Sequence, residues 1–304
     1  MPLVSVWMIT YNHKPFIDQA IESVLMQKTS FPFELVVGDD GSTDGTWDIV
    51  KQYAQKFPSI IKARSNNPNI GMIPNMVKTL EECQGQYIAM LEGDDYWSHS
   101  GKLQLQVDYL NAHPECSLCA TAFERLKGDE LLPDMPKQSH IGFNQILIAN
   151  TIGTATVLFP KRFITPQTFH YLAQFNIGDW PLWCWLLKKG DGVVLPEMTA
   201  VYRINESGVW SRHDYFSQVK KIIPEKKKLI NYWSVADGEA WLWHDYRVIF
   251  LRDESSRKIR NDLYLLLPPS CTRSLLIICS YLFKPLFHSV LRKTTRKQLC
   301  KIQY

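Results

Sequence analysis

The chain has 304 residues, 45% hydrophobic and 21% charged, the make-up of a globular protein with room for one large domain and an appendage. Fifteen Gly and seventeen Pro exclude a collagen-like or low-complexity chain, and a net charge of +4 does not by itself point to nucleic acid. The charge is uneven: no acidic residue follows Asp262, and the last 42 residues carry seven Lys and Arg, which leaves −3 for the rest and suggests an acidic partner surface for the tail.

Val4–Ile9 is a β-rich apolar run that stops at Thr10-Tyr11-Asn12. Phe16, Ile17, Ala20, Ile21, Val24 and Leu25 then repeat at helical spacing. Phe33–Val37 reads as a second strand, stopped by Gly38-Asp39-Asp40-Gly41-Ser42, and Thr46–Phe57 as a helix ending before Pro58. Ile60–Ala63 is a third strand, followed by a polar loop and a helix to Cys83. Gln86–Leu91 is a fourth strand that ends in Glu92-Gly93-Asp94-Asp95. Strands alternating with helices predict βαβ units and a mainly parallel sheet. Further on, Lys102–Ala112 is helical with Leu103, Val107 and Leu110 on one face. Ser117–Phe123, Thr154–Phe159, Val193–Leu195 and Thr199–Tyr202 read as strands, and Gly178-Asp179-Trp180 opens another helix. Beyond Phe216 the pattern is helical throughout. The expected division is therefore 1–215 for the α/β domain, in halves of 1–100 and 101–215, and 216–304 for a helical C-terminal region.

The N-terminal run lacks a basic flank and a cleavage-type segment, so it reads as a strand and not a signal peptide. No run reaches the roughly 18 apolar residues of a spanning helix. The nearest, Ser274–Phe283, is closed by Arg273 and Lys284. The expected location is cytoplasmic. Seven irregularly spaced cysteines do not form a disulfide framework, and Cys116-x-x-Cys119 lacks a second ligand pair for zinc. Buried structural thiols are the expectation.

In open α/β sheets, ligands bind outside the carboxyl ends of the strands. Three strand ends here are polar, and two of them concentrate five carboxylates: Asp39, Asp40, Glu92, Asp94 and Asp95. A divalent cation offsets such a charge, and Mg²⁺ or Mn²⁺ prefers oxygen ligands. Gly-Asp-Asp is also ordinary turn chemistry. Asp40 at a strand end can accept a hydrogen bond from a base N–H, whereas it would repel phosphate.

Thr10-Tyr11-Asn12, Asp39-Asp40-Gly41-Ser42-Thr43-Asp44-Gly45-Thr46 and Gly85-Gln86-Tyr87-Ile88 … Glu92-Gly93-Asp94-Asp95-Tyr96-Trp97, in this order, resemble family 2 glycosyltransferases with a GT-A fold. The likeness is tight over 2–112 and looser to about 212. It implies an inverting nucleotide-sugar transferase. In that frame Asp40 meets uracil, Thr10 and Tyr11 line the nucleoside pocket, and Asp94 lies near ribose and sugar. Asp95, with Asp94, binds the Mn²⁺ or Mg²⁺ on the diphosphate. Many members have Asp where this chain has Glu92. Asp179, after Gly178 at a helix start, takes the place of the general base; the alternative is an N-cap carboxylate. Tyr202–Ser211 resembles the closing loop, with Arg203 for the diphosphate and Trp210 for a sugar ring. Trp180, Trp183, Trp185 and Trp210 suit an acceptor groove, although aromatics are more often core.

The phrase Leu91-Glu92-Gly93-Asp94-Asp95-Tyr96-Trp97, followed by Lys102-Leu103-Gln104-Leu105-Gln106, resembles bacterial surface-polysaccharide transferases, especially O-antigen glucosyltransferases. That resemblance implies transfer of glucose from UDP-glucose to a polyprenyl-diphosphate-linked GlcNAc. Leu282, Phe283, Leu286, Phe287, Val290 and Leu291 recur at helical spacing among basic residues, the pattern of a membrane-surface helix or of a packed helix with a solvated end. A peripheral enzyme on the inner face of the cytoplasmic membrane is the expectation, with no nucleic-acid partner. Two rivals remain: a nucleotidyltransferase, which usually has a Gly-rich loop where this chain has Thr10–Pro15, and a non-catalytic binding module.

Overall fold

The apolar alternation of the first strand decides both faces of the sheet. In this computed structural model, which describes residues 1–136, 138–205 and 215–235 together with Leu242 and Asp245, β1 (Val4–Thr10) sends Val4, Val6 and Met8 into one core and Trp7 into the other. The first core is completed by α1 (Ile17–Leu25), β2 (Phe33–Asp39), α2 (Thr46–Lys56) and β3 (Ile61–Ser65). α3 (Met72–Glu82) packs Met76 and Leu80 on the opposite face, against Trp7, Val36 and, from β4 (Tyr87–Glu92), Ile88 and Met90. This is the period-two logic of a sheet buried on both sides.

After β4 come β5 (Tyr96–Trp97), α4 (Lys102–Ala112), β6 (Leu118–Lys127), β7 (Glu130–Asp134), β8 (His140–Ile141) and α5 (Phe143–Ile148). A 3₁₀ turn leads into β9 (Leu158–Pro160), followed by α6 (Pro166–Leu172), α7 (Asp179–Leu187), β10 (Gly192–Ile204) and α8 (Tyr215–Tyr232). The strand order is β3-β2-β1-β4-β9-β6-β10-β5, with β7 on β6 and β8 on β10. The first four strands are parallel. β9 then runs antiparallel to both β4 and β6. The GT-A-like α/β architecture expected from the sequence is present, but the sheet, expected to be mainly parallel, is parallel only in its first half and mixed beyond β4.

Some elements differ from the sequence expectation for local reasons. Thr154–Thr156 is a 3₁₀ turn and only Leu158–Pro160 is strand. The two short strands expected around 193–202 are one, β10, whose register on β6 shifts between Leu195 and Ala200. Pro196 lies in that interval and has no N–H for the ladder, so the irregularity carries the strand past it. α7 has no amphipathic stripe: Trp180 through Leu187 are all buried. Its helical start is set by Asp179 in the first turn and Pro181 near it, and its burial by α5 and α6 on one side and the sheet on the other.

α8 belongs to the same packing unit, which runs from Met1 to Asp245. Leu229 is in the core beside α7, and Glu225 is buried, accepting from Asn176 N (3.0 Å) and Asn176 Nδ2 (2.9 Å) in the segment before α7. The expected boundary at 215 therefore cuts through this unit. Residues 246–304, with the basic amphipathic segment, lie outside the described residues. Cys83, Cys116, Cys119 and Cys184 are buried free thiols, as expected.

Candidate functional site

Parallel pairing brings three strand ends side by side. Thr10 is in register with Asp39 across β1–β2, and Ile9 with Glu92 across β1–β4. The loops that leave these ends are stitched together. Asn12 N donates to Ser42 Oγ (2.9 Å), Thr43 N to Asn12 Oδ1 (2.9 Å), and Lys14 N to Asp44 Oδ2 (2.9 Å). Thr46 N also donates to Asp44 (2.9 Å), so Asp44 both caps the α2 start and anchors the first loop. Tyr11 stands at the rim, 47% exposed.

The two aspartates at the end of β2 have separate duties. Asp40 is buried and closes the loop 66–71: its Oδ1 accepts from Asn66 Nδ2 and Ile70 N, both at 3.0 Å, and its Oδ2 from Gly71 N at 2.9 Å. Three of a carboxylate's roughly four acceptor positions are thus filled by the chain itself. Asp39 is wholly buried. Its Oδ2 accepts from Gly41 N (3.1 Å), Ser42 N (3.1 Å) and Ser65 Oγ (2.6 Å), while its Oδ1 has no partner among the described residues. Thr10 Oγ1, equally buried, is also unpartnered. Buried polar groups without partners are rare in native proteins, so Asp39 Oδ1 and Thr10 Oγ1 stand out as enclosed oxygens that no described residue satisfies. The sequence singled out Asp40; the orphaned atom on its neighbour is visible only once Ser65 and the loop amides are in place.

Glu92, Asp94 and Asp95 converge at the end of β4, their ligand atoms all within 4.8 Å of one another. The turn is tight because Gly93 N donates to Ile9 O (3.0 Å), and a Cβ on Gly93 would lie 2.7 Å from Thr10 Oγ1 and 3.0 Å from His13 Nδ1. Asp94 Oδ2 accepts from Asn205 Nδ2 at 3.3 Å, with His13 Nε2 3.9 Å away. Asp95 is 1% exposed; its Oδ1 accepts from Arg203 N (2.8 Å) and its Oδ2 has no partner among the described residues. Burial first, then Asp94 and Asp179, push Glu92 up to about 8. Burial and the same cluster push Asp95 well above the usual carboxylate range. Three all-oxygen side chains, one with an orphaned buried oxygen, fit a hard divalent cation such as Mg²⁺ or Mn²⁺.

Arg203 does not stand free for a diphosphate. Its guanidinium lies between the rings of Phe16 (5.1 Å) and Tyr96 (4.6 Å), donates to Asp94 O at 2.6 Å, and bonds Gln19 Oε1. Together with its backbone bond to Asp95, this makes Arg203 the clamp that holds the Asp94-Asp95 turn against α1 and β10. Trp210, the other loop residue expected to contact substrate, lies outside the described residues. Trp180, Trp183 and Trp185 do not line a groove: all are core residues, and the Trp180 and Trp185 indoles bond Ile146 O (2.6 Å) and Phe163 O (2.9 Å).

Asp179 opens α7 after Gly178, and a Cβ on Gly178 would fall 2.3 Å from Met76 Sδ. That close approach to α3 is what sets the helix start beside the β4 end. Water still reaches the Asp179 side chain, yet the protein around it raises its pKa. Trp180 N and Asn150 Nδ2, the latter at 2.7 Å, oppose that rise by bonding the charged form. Asp179 also acts on Glu92, so base candidate and carboxylate cluster share one field.

The family model described as Glycosyl transferase family 2 matches residues 5–172, more than half of the chain. An uncharacterized protein of Mycobacterium tuberculosis is 32% identical over 222 residues, 72% of this chain and 63% of its own length. The Escherichia coli UDP-Glc:alpha-D-GlcNAc-diphosphoundecaprenol beta-1,3-glucosyltransferase WfgD is 27% identical over 221 residues, 72% of this chain and 83% of its own. Among solved structures, Staphylococcus aureus TarS 1–349 in complex with UDP superposes with a TM-score of 0.57 at 18% identity, over 91% of this chain and 79% of that one, which is a likeness of fold. With the matched span holding Thr10, Asp39, Asp40 and the Glu92–Asp95 cluster, the chain belongs to glycosyltransferase family 2.

Proposed function

We propose that the chain is an inverting hexosyltransferase that uses a UDP-sugar donor and a lipid-diphosphate-linked sugar acceptor, with UDP-glucose and GlcNAc as the first pair to test. The observation that carries this reading is the set of orphaned buried oxygens, Thr10 Oγ1, Asp39 Oδ1 and Asp95 Oδ2, lined along adjacent strand ends. Such a row needs a ligand that is a hydrogen-bond donor at one end and anionic with a cation at the other. A nucleoside diphosphate meets both needs. The similarity to WfgD supports the choice of sugars and of the acceptor.

In this reading the base N–H is accepted by Asp39 Oδ1, with Asp40 holding the loop that frames it and Tyr11 at the rim. Asp95 and Asp94, with Glu92 beside them, hold Mn²⁺ or Mg²⁺, which offsets the charge of the departing diphosphate. Asp179 takes the proton from the acceptor hydroxyl as that oxygen attacks the sugar C1. UDP leaves from the opposite face, so an α-linked donor gives a β-glycoside. A carboxyl whose pKa burial has raised is a better proton acceptor than one on the surface.

No described helix is long and apolar enough to cross a membrane. We assign the attachment to a lipid surface, on the cytoplasmic face, to the basic segment after Asp262, on its charge and apolar spacing. Two assays decide the proposal. UDP release from a panel of UDP-sugars, with and without synthetic lipid-diphosphate GlcNAc, should be acceptor-dependent; a protein that binds UDP without ever releasing it from a donor sinks the enzymatic reading. Sedimentation with anionic vesicles should be strong at low salt and weak at high salt. A full chain that ignores the vesicles at low salt removes the membrane claim.

A further inference from the structure

Asp179 has an unusual neighbour. Asn150 lies in the segment between α5 and the 3₁₀ turn before β9, and its amide donates to Asp179 Oδ2 at 2.7 Å. The amide is fixed in this sense because its Oδ1 accepts from Ile152 N at 3.3 Å, leaving Nδ2 toward the carboxylate. The segment is fixed in turn. Ile152 is buried in the core, and a Cβ on Gly153 would meet the Phe123 ring at 3.1 Å. α5 is tied to α7 through the Trp180 indole and Ile146 O. So the donor of the bond and the helix bearing its acceptor are braced against one another.

We propose that Asn150 is the positioning residue of the base. By holding Oδ2, it fixes the orientation in which the carboxylate meets the acceptor hydroxyl and keeps it ionised inside the site. The proposal rests on Asp179 being the base. A hydrogen bond to the charged form opposes the effect of burial, and here the other bonds to that carboxylate come from the backbone at the helix start. Glu92 from β4 and the Cys184 thiol from the next turn of α7 also feel Asp179, and neither donates to it in this structure.

The test separates the contact from the chemistry. Asn150→Ala removes both bonds of the side chain, whereas Asn150→Asp keeps its shape and the acceptor for Ile152 N but loses the donor. With aspartate selectively ¹³C-labelled at the carboxyl, and Asp179→Asn used for assignment, the Asp179 midpoint should rise by about one pH unit in Asn150→Ala. Glu92 is silent in that label. UDP release from UDP-glucose with synthetic lipid-diphosphate GlcNAc should show its acid limb displaced upward by a similar amount, and further in Asn150→Asp, with UDP affinity unchanged. An unmoved midpoint overturns the proposal, and so does a moved midpoint with an unmoved acid limb. The midpoint is read without turnover, so it decides the contact for any donor and acceptor. Failure of the base assignment looks different: Asp179→Asn would then turn over like the parent whatever Asn150 does.

Discussion

On one side of β4 the sheet is parallel, β3-β2-β1-β4, and its chemistry sits at consecutive strand ends a few residues long. On the other side β9, β6, β10 and β5 run in mixed directions, and a carboxylate that acts on the cluster, Asp179, comes from the first turn of a helix. The parallel half leaves three buried oxygens, Thr10 Oγ1, Asp39 Oδ1 and Asp95 Oδ2, without a partner among the described residues. The mixed half satisfies its carboxylate with Asn150 and a backbone N–H, as a group that must hold one orientation does. The proposed binding half and the proposed reacting half therefore differ in how their polar atoms are satisfied, and substitutions can tell them apart.

The largest effect belongs to the carboxylate cluster. Asp95→Ala removes the buried oxygen that has no hydrogen-bond partner among the described residues, and turnover should fall by about 10³-fold or more, the worth of several kcal/mol of charge stabilisation. EDTA should abolish UDP release and Mn²⁺ or Mg²⁺ restore it. The titration gives a sign to check. Glu92, at about 8, and Asp95 are both pushed up, so the metal-free folded protein holds more protons than the unfolded chain. Its stability from these groups is present below pH 4 and is lost as pH rises toward 8. Mn²⁺ binding, which needs the ionised form, should tighten over the same range. Calorimetric titration at pH 6.5 and 8.5 checks this, and equal affinities at the two values would contradict it.

Asp179→Asn comes next. It keeps the size and much of the capping ability but cannot accept a proton. Turnover should drop by about 10²–10⁴-fold with UDP affinity retained. Activity close to the parent would reduce Asp179 to a helix cap and erase the contrast between the halves.

The contrast also explains what the sequence made legible. Four strands and the helices between them follow from apolar alternation and helical spacing that are complete within each segment, and Glu92-Gly93-Asp94-Asp95 is contiguous. The place of Asp179 at a helix start was legible because such a start carries its own signature, whereas its role as base came only from the family resemblance. The remainder depends on distant partners. Arg203 is recruited by Phe16, Gln19 and Tyr96, which lie more than a hundred residues earlier, so nothing in Tyr202–Ser211 warned that its guanidinium was engaged. Asp39 and Asp40 are adjacent and alike in sequence; Ser65, Asn66, Ile70 and Gly71 decide which one keeps a free oxygen. Asn150 sits in a stretch with no periodic pattern and acquires meaning only when α5 docks on α7. For the tryptophans of α7 the sequence left a sugar groove and the core both open, and packing with α5, α6 and α8 made Trp180, Trp183 and Trp185 core.

Within the binding half, the two aspartates should separate. Asp39→Asn should raise the donor KM about 10- to 100-fold, the loss of one charge-assisted hydrogen bond, with a smaller change in turnover. Asp40→Asn places a donor amide among donors from the 66–71 loop and should cost about 1–3 kcal/mol of stability, read by urea denaturation, with the lesser rise in KM. The reverse pattern would return the base contact to Asp40.

The smallest effect lies where the two halves join. Lys102, on α4, is fully buried; its Nζ donates to Gln106 Oε1 at 2.6 Å and lies 4.6 Å from the centre of the Trp97 ring. Gln106 in turn donates to Cys119 O on β6 (2.7 Å) and to Thr156 O before β9 (2.8 Å), where the sheet changes from parallel to mixed. A cation over a desolvated aromatic gains about 2 kcal/mol. Removing an ammonium from water costs several kcal/mol and no carboxylate is bonded to it, so desolvation wins. Its pKa is pulled down to about 7 from an ordinary 10.5. Between those values the unfolded chain carries one more proton than the folded one, so this lysine makes stability rise with pH above 7 and adds no slope below it. Lys102→Met keeps the volume and cannot titrate. From pH 6.5 to 8.5 the parent should gain about 1–2 kcal/mol more than the variant, by urea midpoints at each pH. The buried thiols are common to both proteins and ionise in the unfolded chain mostly above this range, so the comparison isolates the lysine. Parallel curves would mean that Lys102 stays charged over Trp97, and that the seam between the halves is held by an ion and not by a neutral hydrogen-bonded pair.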